Sequence, residues 1–128
     1  MDDANTTHKI LAVEDDKFYS KAYAMKFKKE GFDITIANNG EEAISILKEG
    51  FIPDLILLDI IMPKKDGLEV LKEIRNIEAL NNVNVIITSN LSQAEERSKA
   101  LELGATDYFV KSDITMDELI AKVRNYLT

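Results

Sequence analysis

The residues of this sequence best equipped for chemistry are carboxylates. Glu14-Asp15-Asp16 follow the apolar run Ile10 to Val13, and Asp59 interrupts a second run, with Leu55-Ile56-Leu57-Leu58 before it and Ile60-Ile61-Met62 after it. An unpaired charge within such a run costs several kcal/mol, so Asp59 needs a purpose there. If the two runs are neighbours, their carboxylates converge, and like charges a few ångströms apart disfavour mutual ionisation. The cluster must then be protonated, hydrated or neutralised by a cation, of which a divalent ion is the simplest resolution. Oxygen ligands suit a hard ion, and Mg²⁺ keeps several waters while taking one or two carboxylates. The sequence has no cysteine and a single histidine, His8, so the ligands of a zinc site are missing.

Taken singly, these residues have ordinary explanations. Acidic residues after a strand often cap the next helix, as Asp16 before Lys17 is expected to do. Thr88 ends one further apolar run and Lys111 another; Thr is a good strand former, and a Lys after a strand is usually solvated. Together, an acidic cluster, a hydroxyl and an ammonium at one edge of a sheet would surround one small volume. A phosphoryl group on Asp59 would meet a cation, a donor in Thr88 and a point charge in Lys111, the electrostatic provisions of phosphoryl transfer.

Such convergence requires parallel strands. Short apolar runs at Lys9 to Val13, Asp33 to Ala37, Asp54 to Leu58, Asn84 to Thr88 and Asp107 to Val110 alternate with longer segments of helical period. That pattern predicts an α/β fold, with a parallel sheet wrapped by helices and right-handed crossovers. The third and fourth runs, nearly all Leu or β-branched, predict central strands covered on both faces. Ser92-Gln93-Ala94-Glu95 and Thr115-Met116-Asp117-Glu118 match the capping box. Asn38-Asn39-Gly40 reads as a turn and cap before Glu41 to Lys48. Gly31, Gly50 and Gly104 stand where helices end. The last helix covers about Thr115 to Tyr126. In doubly wound folds ligands gather beyond the carboxyl ends of the strands.

The 128 residues suit one domain, Lys9 to Thr128, behind a loose polar tail, Met1 to His8. With 45% hydrophobic and 30% charged residues the composition is that of a soluble globular protein. No run is long enough to span a bilayer, and the polar start does not resemble a secretory signal. The absence of cysteine fits a cytoplasmic location. A net charge of -7 argues against direct nucleic-acid binding and leaves proteins or cations as partners.

From about Lys9 to Leu127 the sequence closely resembles the receiver domains of bacterial-type response regulators. The specific match is Asp59-Ile60-Ile61-Met62-Pro63-Lys64-Lys65-Asp66-Gly67, similar to the phosphoacceptor loop of that family. It is joined by Glu14-Asp15, by Ile86-Ile87-Thr88-Ser89 and by Gly104-Ala105-Thr106-Asp107-Tyr108-Phe109-Val110-Lys111. The resemblance implies a doubly wound, flavodoxin-like sheet of five strands in the order 2-1-3-4-5. It implies that Asp59 accepts phosphate from a sensor histidine kinase or histidine phosphotransfer protein. Mg²⁺ would be held by Glu14, Asp15, Asp59 and the backbone carbonyl of Ile61. Lys111 would pair with the phosphate, Thr88 would swing toward it, and Tyr108 would rotate inward. The changed face, on the fourth and fifth helices and the fifth strand, would address a downstream protein or a fused effector domain. Apart from its own phosphorylation and dephosphorylation, such a domain is not an enzyme.

Three departures bear on detail. Ser112 follows Lys111 where the family usually has Pro after a cis peptide. A cis bond before another residue costs about 2.5 to 4 kcal/mol, which favours trans there. Glu14 replaces the commoner Asp, and apolar Ile61 suggests slow loss of phosphate. Phe18, Tyr19, Tyr23, Met25 and Phe27, with Tyr126, read as packing or surface residues. A haloacid dehalogenase-type phosphatase would need a second Asp at Ile61, and a nucleotide or flavin carrier would be repelled by Glu14-Asp15-Asp16. A degenerate receiver serving only as a binding module remains the alternative.

Overall fold

Alternating strands and helices give the order β1 (Lys9–Val13), α1 (Lys17–Lys29), β2 (Asp33–Ala37), α2 (Gly40–Lys48), β3 (Leu55–Asp59), α3 (Gly67–Arg75), β4 (Asn84–Ser89), α4 (Ala94–Glu102), β5 (Asp107–Val110) and α5 (Met116–Leu127). The computed structural model describes residues 7–60, 66–90 and 94–128. Ser92-Gln93, Ile61 and most of the expected N-terminal tail lie outside the described residues.

All strand pairs are parallel, in the order β2-β1-β3-β4-β5. This is the doubly wound, flavodoxin-like α/β architecture expected from the sequence. Side chains alternate between two cores, as the two-residue period of a strand requires. Leu11, Val13, Ile56, Leu58, Val85 and Ile87 pack with α2, α3 and α4, while Ile10, Ala12, Leu55, Leu57 and Ile86 pack with α1 and α5. β3 is buried along its whole length. Each such aliphatic side chain contributes about 1.5 to 3 kcal/mol by leaving water.

The helix ends follow the sequence's punctuation. Asp16 accepts from the amides of Phe18 and Tyr19, Asn39 from Glu42, and Thr115 and Glu118 close a reciprocal capping box. Gly31, Gly50 and Gly104 have φ of 93°, 106° and 104°, a region that costs other residues steric strain. Three strand limits shift: β3 begins at Leu55 and ends at Asp59, which pairs with Thr88, and β4 runs on to Ser89. None of the described helices is long and apolar enough to cross a membrane.

Candidate functional site

Register brings the chemistry together. Val13 lies opposite Leu58, and Asp59 opposite Thr88, so Glu14, Asp59, Thr88 and Lys111 all emerge at the carboxyl edge of the sheet. The backbone amide of Glu14 donates to Ala37 at 3.0 Å, which continues the ladder one step past β1 and points the following residues over the edge. Beyond β5 the chain enters a 3₁₀ turn, Lys111–Asp113, that folds Lys111 back into the site. No described peptide bond is cis, so the Lys111–Ser112 link is trans.

The site is an electrostatic cluster nearly closed to water. Glu14 is 0% exposed, Asp59 6%, Thr88 3% and Lys111 7%. Lys111 Nζ stands 2.7 Å from Glu14 Oε1 and 3.3 Å from Asp59 Oδ2. Asp15 is exposed, and it offers a carboxylate oxygen that lies with one from Glu14 and one from Asp59 in a mutual 4.8 Å neighbourhood. Burial pushes the Glu14 carboxyl up to about 7, with Asp59 adding to the rise and Lys111 opposing it. For Lys111, burial works to lower the pKa, but the close Glu14 carboxylate and the charge of Asp59 outweigh it and the net shift is upward.

The donor set fits a divalent cation. Three carboxylates and one ammonium leave two negative charges in a small volume, the charge that one such ion neutralises. Glu14 Oε1 is buried without a directed hydrogen-bond donor, because Lys111 approaches it closely but off the hydrogen-bonding direction. An oxygen in that state has unused coordinating capacity, and oxygen-only ligands select Mg²⁺ or Ca²⁺ over softer metals.

The start of α3 is fitted to Asp59. Asp66 accepts from the amide of Glu69 at 3.1 Å, and the amide of Gly67 donates to the carbonyl of Ile60 at 2.7 Å. A Cβ on Gly67 would overlap the Asp59 carbonyl oxygen and stand 2.6 Å from Ile60 Cα. Only glycine allows this approach, which accounts physically for Asp66-Gly67 seven and eight residues after Asp59.

Residues 10–124 match the model of the response regulator receiver domain. The chain belongs to that family. This receiver domain is 40% identical over 119 residues to the CpxR homolog of Haemophilus influenzae, a transcriptional regulatory protein, covering 93% of this chain and 50% of that one. It thus spans about half the length of the curated relatives it matches. Among solved structures, the receiver domain of Francisella response regulator 1452 superposes with a TM-score of 0.84 at 35% identity, covering 94% of this chain and 97% of that one. The BeF3-activated N-terminal receiver domain of Klebsiella pneumoniae RstA gives a TM-score of 0.84 at 29% identity, covering 93% and 97%.

Of the residues singled out in the sequence, Glu14, Asp15, Asp59, Thr88 and Lys111 meet at this edge. Tyr108 is buried on β5 among Ile87 and Ala100, and Arg97 of α4 donates to its carbonyl at 3.2 Å. Ile61, whose carbonyl the family resemblance assigns to the metal, lies outside the described residues. The α1 aromatics pack as read from the sequence, Tyr23 and Phe27 in the core and Tyr19 against it, and Tyr19 and Tyr23 also border the site. Lys111 Nζ lies 4.3 Å from the ring centroid of Tyr19, and Tyr23 and Thr88 line one small cavity with them. The one sequence signal was the four-residue spacing of Tyr19, Tyr23 and Phe27 directly after the acidic trio.

Proposed function

We propose that this receiver domain is a phosphorylation-driven signalling switch and that Asp59 is its phosphoacceptor. The donor is a phosphohistidine on a sensor histidine kinase or histidine phosphotransfer protein. A carboxylate oxygen of Asp59 bonds to phosphorus as the P–N bond breaks, and the imidazole leaves with that bond's electron pair. Glu14, Asp15, Asp59 and the carbonyl of Ile61 would hold Mg²⁺, which supplies charge neutralisation for the phosphoryl oxygens. Lys111, already 3.3 Å from Asp59, provides a second positive charge at the acceptor. Thr88, next to Asp59 in the sheet, supplies a hydroxyl donor.

The phosphoryl group adds roughly -1.5 to -2 charges and three acceptor oxygens. New bonds to it require Thr88 to move, and Tyr108, packed inward behind β5, occupies the space released. If the active arrangement is a minor population, a differential of about 2 to 3 kcal/mol raises it roughly thirty- to a hundredfold. Arg97 ties α4 to β5, so the change reaches the α4, β5 and α5 face, where a downstream protein or fused effector docks.

The observation that carries this reading is the buried Glu14–Lys111–Asp59 cluster. A module that only bound proteins would gain nothing from burying two carboxylates and an ammonium at its edge, which favours the switch over the degenerate alternative. Residues 9–128 form the receiver unit, and its location is the cytoplasm. It turns over no separate small molecule. Any contact with DNA would belong to the half of the relatives that this chain does not span.

Incubation with Mg²⁺ and acetyl phosphate, followed by intact mass measurement, should add one phosphoryl group to the wild type and none to Asp59→Asn. Equal labelling of both would remove Asp59 from this role.

A further inference from the structure

Two tyrosines on α1 border the same small cavity as Lys111 and Thr88. Tyr19 and Tyr23 stand one helical turn apart, with ring centroids 6.3 Å apart and planes tilted by 46°. Tyr23 is 2% exposed and continues into an edge-to-face contact with Phe27 at 6.1 Å, so this aromatic row is fixed to the core. The face of Tyr19 lies 4.3 Å from the Lys111 ammonium, within the range in which a ring quadrupole attracts a cation. Thr88 of β4 is buried beside them. All four residues line one small cavity of about 80 Å³, closed on its far side by Ile114, Met116 and Leu119.

We propose that Tyr19 is a positioning residue of the phosphoryl site, its ring face steadying the Lys111 ammonium beside Asp59. The proposal rests on the switch reading above and adds a device particular to this chain. Lys111 is followed by Ser112 and leaves β5 through a trans link, so its side chain takes its direction from what it meets: Glu14, Asp59 and the Tyr19 ring. The adjoining cavity gives Thr88 and Lys111 room to move without displacing the core.

The test compares wild type, Tyr19→Leu and Tyr19→Phe. One readout is the rate of Mg²⁺-dependent labelling at Asp59 by acetyl phosphate; the other is the ring-current shift of the Lys111 ε-methylene protons by NMR. Tyr19→Leu should abolish the upfield shift and slow labelling about fivefold, whereas Tyr19→Phe, which keeps the ring, should match the wild type in both. A labelled wild type with all variants within its error, or Lys111 protons without a ring-current shift, overturns the proposal alone. A wild type that takes no phosphate at Asp59 overturns the switch reading, and the proposal with it.

Discussion

Glu14 is a carboxylate with no exposed surface, and its pKa of about 7 makes a quantitative prediction. The folded, metal-free protein holds the Glu14 proton more tightly than the unfolded chain, whose value is near 4.5. Stability from this group is therefore fully present below pH 4.5 and is lost as pH rises through about 7. A shift of that size corresponds to about 3 kcal/mol in all, of which about 2 kcal/mol falls between pH 5.5 and 8. Urea unfolding in EDTA should show wild type losing about 2 kcal/mol over that window relative to Glu14→Gln, which has no carboxyl to titrate. Saturating Mg²⁺ should reverse the trend, because the metal requires the ionised carboxylate and binding below pH 7 releases its proton. A wild type to Glu14→Gln difference that stays flat from pH 5.5 to 8 would refute the assignment of burial as the dominant influence on Glu14.

Three further outcomes follow from the same geometry. Lys111→Met should lower metal-free stability at pH 8 by about 3 to 5 kcal/mol in urea unfolding, since it leaves buried carboxylates without their ammonium, and Mg²⁺ should restore much of it. Gly67→Ala should cost about 2 to 3 kcal/mol in the same assay, because a methyl group there meets the Asp59 carbonyl and forces α3 to shift. The apolar Ile61 predicts slow loss of phosphate, and a half-life of seconds in Mg²⁺, measured by intact mass after donor removal, would contradict it.

Much of this architecture was legible because local signals agree. The Leu and Ile runs at β3 and β4 identify central strands, and Asp16, Asn39, Thr115, Gly31, Gly50 and Gly104 mark helix ends by backbone chemistry that depends little on tertiary context. The β3 limit moved because Asp54 reads as the start of an apolar run, although its side chain instead accepts the Lys9 amide at 2.7 Å; Asp59 joins the strand through its pairing with Thr88. The carboxylates, the threonine and the lysine were legible as a set because each stands at a strand's carboxyl end. Tyr19 and Tyr23 were not, since aromatic residues four apart on a helix describe packing equally well. Only the return of the chain after β5 places Lys111 over the Tyr19 ring.

The account's central claim is most directly tested by trapping the acyl phosphate. After reaction with acetyl phosphate and Mg²⁺, borohydride reduction converts a phosphorylated aspartate to homoserine, and peptide sequencing by mass spectrometry locates it. Homoserine at position 59, lost when EDTA replaces Mg²⁺, is the predicted result; homoserine at position 15 or 16, or labelling indifferent to Mg²⁺, would contradict it.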